Sequence, residues 1–296
     1  MNRPLLMPAV CALGLAALFP LLPTRAQDQP AIQSAPVHGA VHILTGNGGN
    51  IAVSAGPDGL LMVDDKFLNL AGDIQDALND LANDAQLDVK TPRFLINTHH
   101  HGDHTGSNSA WGSSTIVAHD NVRKRLMDGD SPMPSQGLPV VTYEEGLKLH
   151  FNGEAIHLIH VAAGHTDGDT LVHFIGSNVI HLGDLGFINR FPFIDLSGGG
   201  TVSGYIAGLN HALDLGDAET RYIPGHGDVS GAAEVRALRD MLIEGQKRVQ
   251  KQIAAGQTAS DMRQAGLLDD YGTWDWGFIN REAMIQTLYD DAISKR

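Results

Sequence analysis

The chain has one cysteine among its 296 residues, Cys11, and it falls in an apolar N-terminal stretch. Arg3 gives that stretch a short positive start, and Leu5 to Leu22 is almost unbroken hydrophobic sequence. Thr24-Arg25-Ala26 then offers a small residue ahead of polar Gln27-Asp28-Gln29. This pattern is expected to be a cleaved secretory signal peptide over residues 1–26, because no later segment resembles a stop-transfer span. The expected mature protein therefore has no cysteine. That excludes disulfides, thiolate metal ligands and a cysteine nucleophile. Export without cysteine fits a bacterial periplasm, with stability resting on the hydrophobic core alone.

Basic residues are scarce too. Removing Arg3 and Arg25 leaves 18 basic against 34 acidic side chains, a net charge of −16. So acidic a surface repels phosphate backbones, and nucleic acid is not an expected partner. Internal repeats and low-complexity tracts are missing, and nothing marks an internal domain boundary. Residues 27–36 read as a polar linker, and residues 37–296 as one domain with a helical C-terminal tail. Membrane association beyond the cleaved leader is not expected, and the sequence carries no signal for oligomeric state.

What is present is a series of short apolar runs broken by glycine and aspartate. Ala40 to Leu44, Ile51 to Ser54 and Leu60 to Val63 read as a β-meander turning at Gly46-Asn47-Gly48-Gly49 and Gly56-Pro57-Asp58-Gly59. Leu70, Ile74, Leu78 and Leu81 recur at helical spacing, which predicts a helix over Leu70 to Ala85. Phe94 to Ile96 and Ile116 to Ala118 are expected strands, and Asp120 to Met127 a helix. Further strands fit Val140 to Tyr143, Leu147 to Phe151, Ala155 to Val161, Thr170 to Ile175 and Val179 to Leu182. Helices are expected over Tyr205 to Leu215, Val229 to Ala255, Asp261 to Leu268 and Asn280 to Ile293, with a strand end at Tyr222-Ile223. Two sheets with helices outside them account for this order.

The densest chemistry follows the Phe94–Ile96 strand. His99-His100-His101-Gly102-Asp103-His104 places four imidazoles and a carboxylate in six residues. Imidazole nitrogen and carboxylate oxygen are the ligands zinc takes when no thiolate is on offer. Three later segments each set glycine beside another metal-capable residue at a strand exit: Gly164-His165, Gly183-Asp184 and Gly225-His226. Glycine there lets the backbone turn sharply. His157, His160, His173 and His181 lie in or beside strands and read as core or surface histidines.

With these motifs in this order, the chain resembles the metallo-β-lactamase superfamily of αββα hydrolases over roughly Val37 to Asp228. The resemblance implies an α/β four-layer sandwich and two zinc ions per chain. It implies that His99, His101 and His165 hold the first metal, that Asp103, His104 and His226 hold the second, and that Asp184 bridges them. Gly102 would leave room where the loop curls around the metals, His100 would point away, and Asp64 or Asp65 would support the loop by hydrogen bonding. A bridging hydroxide oriented by Asp103 would attack a carbonyl carbon of a small-molecule substrate.

The bond cleaved is less determined, since function belongs to the site and not the fold. An ester, a lactone, a thioester and the amide of a β-lactam all suit such a centre. Thiolate-bearing β-lactamases have cysteine where this chain has Asp184, and commonly lysine three residues later, where it has Phe187. That shifts the expectation toward an ester or lactone, with β-lactam hydrolysis as the alternative. The tail does not match the substrate-binding helices of glyoxalase II-like thioesterases. An iron-dependent oxidoreductase of the same fold and a non-catalytic zinc protein are further alternatives. After Asp184, Phe187, Phe191 and Phe193 are candidates to wall an apolar pocket and Arg190 to anchor a carboxylate.

Overall fold

The computed structural model of the chain describes residues 32–128 and 131–294. The expected leader, with Cys11, and the first part of the expected linker lie outside them. Gln33 to Pro36, read as the end of that linker, instead open strand β1 (Gln33–His38), which pairs antiparallel with β2 (Val41–Thr45). β3 (Ile51–Gly56) and β4 (Gly59–Val63) complete the meander. Helix α1 (Ala71–Asp84) crosses back to β5 (Phe94–Ile96). A single turn of helix, α2 (Gly102–Thr105), precedes β6 (Thr115–His119), α3 (Asp120–Asp128) and β7 (Val141–Tyr143). These strands form a seven-stranded sheet in chain order, parallel from β4 to β7.

The second sheet has five strands. β8 (Gly146–Phe151), β9 (Glu154–Val161), β10 (Asp169–Phe174) and β11 (Val179–Phe187) run antiparallel. Helix α4 (Val202–Leu215) then carries the chain over to β12 (Arg221–His226), which joins β11 in parallel. Helices α5 (Ala232–Ala254), α6 (Ala259–Gln264) and α7 (Arg281–Ser294) follow. β11 runs five residues beyond the Leu182 end expected from sequence, so Asp184 sits inside a strand rather than in a loop.

Side-chain alternation explains the layering. In β4, Leu61 and Val63 face the second sheet, where they join Ile96, Val117, Leu158, Val172 and Ile223 in a core between the sheets. Leu60 and Met62 face the other way, onto Ile74, Leu78 and Leu81 of α1. A strand covered on both faces reads as a continuous apolar run, which is how Gly59-Leu60-Leu61-Met62-Val63 reads. Spacing of i, i+4 and i+7 puts the three α1 residues on one stripe. The outer face of the second sheet packs Ile180 and Leu182 against Tyr205, Leu209, Leu238 and Leu288 from α4, α5 and α7. Burying each such leucine or isoleucine contributes about 1.5–3 kcal/mol. The result is the αββα sandwich. No helix among the described residues is long and apolar enough to cross a membrane.

Candidate metal centre

The exits of β5, β11 and β12 and the β9–β10 loop open at one edge of the two sheets, where parallel strands end and ligands commonly bind. β4 stops at Val63, and the backbone of Asp64 and Lys66 then turns left-handed, with φ of 63° and 58°. That bend brings the Asp64 carboxylate under the histidine loop, fully buried. It accepts hydrogen bonds from Thr98 N at 2.8 Å, Thr98 Oγ1 at 2.8 Å and His104 Nδ1 at 2.7 Å. Of the two aspartates expected from sequence to support the loop, Asp64 is therefore the one that does. Asp65 accepts instead from Ser107 N, and burial pushes its carboxyl well up.

These contacts decide which ring nitrogen each histidine offers. Thr98 donates its hydroxyl proton to Asp64, so His99 Nδ1, 3.0 Å away, donates to Thr98 Oγ1 and leaves Nε2 bare. His104 spends Nδ1–H on Asp64. His165 spends Nδ1–H on the Phe193 carbonyl at 2.8 Å. His101 is held the other way round, its Nε2 on Asp195 Oδ2 at 3.1 Å. His99, His165 and His101 are each left with one bare nitrogen, and two of these, His165 Nε2 and His101 Nδ1, face each other at 2.9 Å. Burial pushes His165 down to about 4 and His99 well below its ordinary value, so both are neutral lone-pair donors. Lone pairs that close repel unless a cation draws them together.

Donor atoms of His99, His101, His165 and Asp184 lie within 4.8 Å of one another, and so do those of Asp103, His104 and His226. Asp184 faces both groups. Its Oδ2 is 3.5 Å from His165 Nε2 and 3.8 Å from His99 Nε2, while its Oδ1 is 3.0 Å from His104 Nε2 and 3.5 Å from His226 Nε2. His99 Nε2, His104 Nε2 and Asp184 Oδ1 are all buried without a well-aligned hydrogen bond. Orphaned polar atoms are rare in protein interiors, and a convergent set of them fits a metal ion. Against burial, the carboxylates of Asp184, Asp103 and Asp64 lift His104 well above its ordinary value, and Asp184 and Asp103 lift His226 to about 9. Protons there hold the place of missing positive charge.

All seven ligands expected from sequence are thus brought together. His100 does not join either group, as expected. It is half-buried with His101 and Asp195 behind the first group, its Nδ1 without a partner. His181 is buried and held by the Asn50 carbonyl and Gly183 N. Gly183 has the left-handed backbone expected of a sharp exit, with φ of 52°. Gly225 is needed for a different reason: a Cβ there would stand 2.0 Å from Asp184 Oδ1. Gly102, expected to leave room for the metals, is corrected. A Cβ at that position meets nothing within 4 Å, because it opens α2 facing free space.

A cavity of about 520 Å³ opens onto the two groups, lined by His101, Asp103, Asp184 and His226 and walled by Phe67, Phe187, Phe193, Trp276 and Phe278. Phe187 is there as expected, but Phe191 and Arg190 are not. After β11 the chain turns at Asn189 (φ 56°), and Phe191 packs fully buried into the helical layer, its amide donating to the Trp274 carbonyl at 3.0 Å. Arg190 lies 5.3 Å over the Trp276 ring and outside the cavity lining.

Phe193 lines the cavity as expected, while sequence reasoning missed Asp195, Trp276 and Lys66. Lys66 is completely buried and donates from Nζ to the carbonyl of Gly49, whose amide in turn donates to Asp103 O at 3.1 Å. For Trp276 a signal existed: two of the chain's three tryptophans fall at Trp274 and Trp276, beside Tyr271 and Phe278.

The model of the metallo-beta-lactamase superfamily matches residues 37–238. The chain belongs to that superfamily. Among solved structures, the DIM-1 metallo-beta-lactamase superposes with a TM-score of 0.61 at 16% identity, over 73% of this chain and 99% of that one. A metallo-beta-lactamase from Pontibacter korlensis gives 0.60 at 13% identity, over 72% and 99%. A double mutant of the sec-alkyl sulfatase PisA1 gives 0.65 at 14% identity, over 88% of this chain, which spans half of the sulfatase. At such identities the likeness is one of fold. The chain thus joins the metallo-beta-lactamase fold, in a superfamily composed mostly of hydrolases, to a histidine–aspartate cluster that could hold metal.

Proposed function

We propose that this chain is a dinuclear zinc hydrolase of the periplasm that cleaves an ester or lactone, or less readily an amide. The observation that carries the reading is Asp184, one carboxylate oxygen facing each histidine group. Neutral imidazoles with a few carboxylates and no thiolate form a donor set suited to zinc. His99, His101 and His165 would hold one ion and Asp103, His104 and His226 the other, with Asp184 between them. Zinc bound there would supply a hydroxide nucleophile at neutral pH and polarise the carbonyl oxygen.

The protein's own part is placement. Asp103 lines the cavity and is the most open carboxylate of the set, 24% exposed against 4% for Asp184. That position suits it to orient the attacking oxygen and to carry its proton to the departing alkoxide. Water adds its oxygen to the acyl carbon, the acyl–oxygen bond breaks, and no further reactant is required. Phe187 stands where a carboxylate-anchoring lysine would serve a β-lactam, and it offers an apolar face instead, which weighs against β-lactams.

The test is metal analysis of protein purified from the periplasmic fraction, followed by a panel of aryl esters, lactones and nitrocefin with and without chelator. The expected result is two zinc ions per chain and ester or lactone hydrolysis that chelator abolishes. Efficient nitrocefin turnover would make it a β-lactamase, and stoichiometric iron without zinc an oxidoreductase. Recovery of the full-length chain in the cytoplasm would overturn the location.

A further inference from the structure

The cavity wall is a connected run of aromatic rings that begins and ends on the candidate ligands. Phe187 stacks on His226, with centroids 4.9 Å apart and planes at 24°. Trp276 lies 5.8 Å from Phe187, Phe278 lies 5.7 Å from Trp276, and Phe193 lies 5.3 Å from Phe278. Phe193 then reaches His101 at 5.9 Å. The one polar atom of Trp276 is already committed, Nε1 donating to the Phe191 carbonyl at 2.8 Å, so the indole is left with carbon to offer. Among the described residues that line the cavity, none is lysine or arginine. Arg190, the cation over Trp276, lies outside the lining.

Two of these rings come from beyond the family match, which ends at residue 238. The segment that carries them is fixed by backbone bonds, Phe191 N to Trp274 O at 3.0 Å and Trp276 N to Ile279 O at 3.1 Å. The C-terminal tail thus contributes two rings of the wall. Against the aromatic wall, a carboxylate on the substrate's body would lose its hydration and find no lysine or arginine in exchange, which is costly. A flat ring would meet edges and faces at offset-stacking distance, each pair contributing beyond the area it buries. About 520 Å³ holds a molecule of one or two rings.

We propose that the substrate is an uncharged ester or lactone carrying an aromatic body, and that Trp276 and Phe278 select it. This rests on the hydrolase reading above. Zinc-loaded protein should be assayed by acid release with benzyl acetate, methyl acetate, 4-carboxybenzyl acetate and acetylcholine. Benzyl acetate should exceed methyl acetate in kcat/KM by at least roughly tenfold, the worth of one good ring contact. Trp276→Ala should remove most of that ratio. Phe278→Ala, at a rim residue 63% exposed and so harmless to folding, should narrow it in the same direction.

A second readout needs no turnover. In chelator-treated protein, benzyl acetate should quench tryptophan fluorescence, and Trp276→Phe should abolish the quenching. Hydrolysis without preference for the benzyl ester, preference for the carboxylated or choline ester, or no quenching would each overturn this inference while leaving the hydrolase intact. Quenching with no hydrolysis of any ester would overturn the hydrolase reading, and the assignment of an ester substrate with it.

Discussion

Asp195 holds His101 by Nε2 at 3.1 Å, and so decides that Nδ1 is the nitrogen His101 turns toward His165. His99, His104 and His165 are held the opposite way, by Nδ1, and offer Nε2. Asp195 is itself fixed. Ser197 Oγ donates to it at 2.6 Å and Gly198 N at 2.8 Å. Burial would raise its carboxyl, but the bonds from His101, Ser197 and Gly198 hold it well below the usual carboxylate range. A charged acceptor on the back of an imidazole fixes its tautomer and raises its basicity as a ligand.

Replacing Asp195 with alanine should therefore weaken metal binding by about 10- to 100-fold, the usual cost of losing a partner behind a ligand. Competition with a chromophoric chelator measures this directly. Asp195→Asn keeps an oxygen that can accept from His101 Nε2 and should recover most of the loss. Equal affinity in wild type and Asp195→Ala would take Asp195 out of this role.

Asp103→Ala should lower kcat by about 10²–10⁴-fold, the range for losing a positioned proton carrier, with further loss if the second metal leaves. Asp103 also faces His226 Nε2 at 3.3 Å, so its removal should lower the melting temperature of metal-free protein near neutral pH, and kcat is therefore compared on folded, metal-loaded protein. Turnover near the wild-type rate would sink the assignment of Asp103 as the proton carrier.

Three glycines near the ligands separate room from strain. A Cβ at Gly49 would stand 2.1 Å from the His104 ring, and one at Gly225 would stand 2.0 Å from Asp184 Oδ1. Both alanine variants should lose metal, counted per chain by elemental analysis. Gly102→Ala, between two ligands but open to free space, should keep its full complement. Loss of metal from Gly102→Ala alone would mean that the room the ligands need lies at Gly102 and not at Gly49 and Gly225.

How far the sequence carried this reading follows from where each signal lies. The seven candidate ligands fall in short local motifs, so the sequence shows them, and the fold brings their side chains together. Gly183 reads as a strand end, which predicts a stop at Leu182, yet β11 continues through that left-handed residue to Phe187. The first four residues of β1 read as linker because they are mostly exposed and polar, and only pairing with β2 makes them strand. Phe191 and Phe193 are two residues apart in one loop, and nothing local says that the first is core and the second lines the cavity. Trp276 lies 172 positions after His104. Only tertiary packing could place its ring 6.2 Å from His226.

That distinction within the loop is itself testable. Phe191 is fully buried among Leu185, Ile188 and the α4 and α5 side chains. Phe191→Ala should cost about 3–5 kcal/mol of stability, as large aromatic truncations in cores do. Urea unfolding reads it. Arg190→Ala should leave the dependence of activity on substrate charge unaltered, since its guanidinium lies outside the cavity lining.

In the metal-free protein the buried candidate ligands should tie stability to pH in opposite directions on the two sides of pH 6.5. Burial holds His165 at about 4, below its ordinary 6.5, so between those values the unfolded chain binds a proton that the folded chain refuses. The contribution of this imidazole then falls as pH drops from 6.5 toward 4, by about 1.4 kcal/mol per pH unit, against the buried Asp169 and Asp65 carboxyls, which are raised and gain there. His226 is the reverse case. Asp184 and Asp103 outweigh its burial and lift it to about 9, so the stability its proton confers is complete below 6.5 and lost as pH rises to 9. His104, raised by the same carboxylates, acts in the same direction. A cation bound in place of those protons removes the alkaline dependence, because the charge facing Asp184 and Asp103 no longer titrates away. Urea unfolding at pH 5, 6.5 and 8.5, with chelator and then with zinc, should therefore show the decline above pH 6.5 only in the chelated protein. Chelated protein that grows steadily more stable from pH 6.5 to 8.5 would mean that His226 and His104 are not paired with these carboxylates.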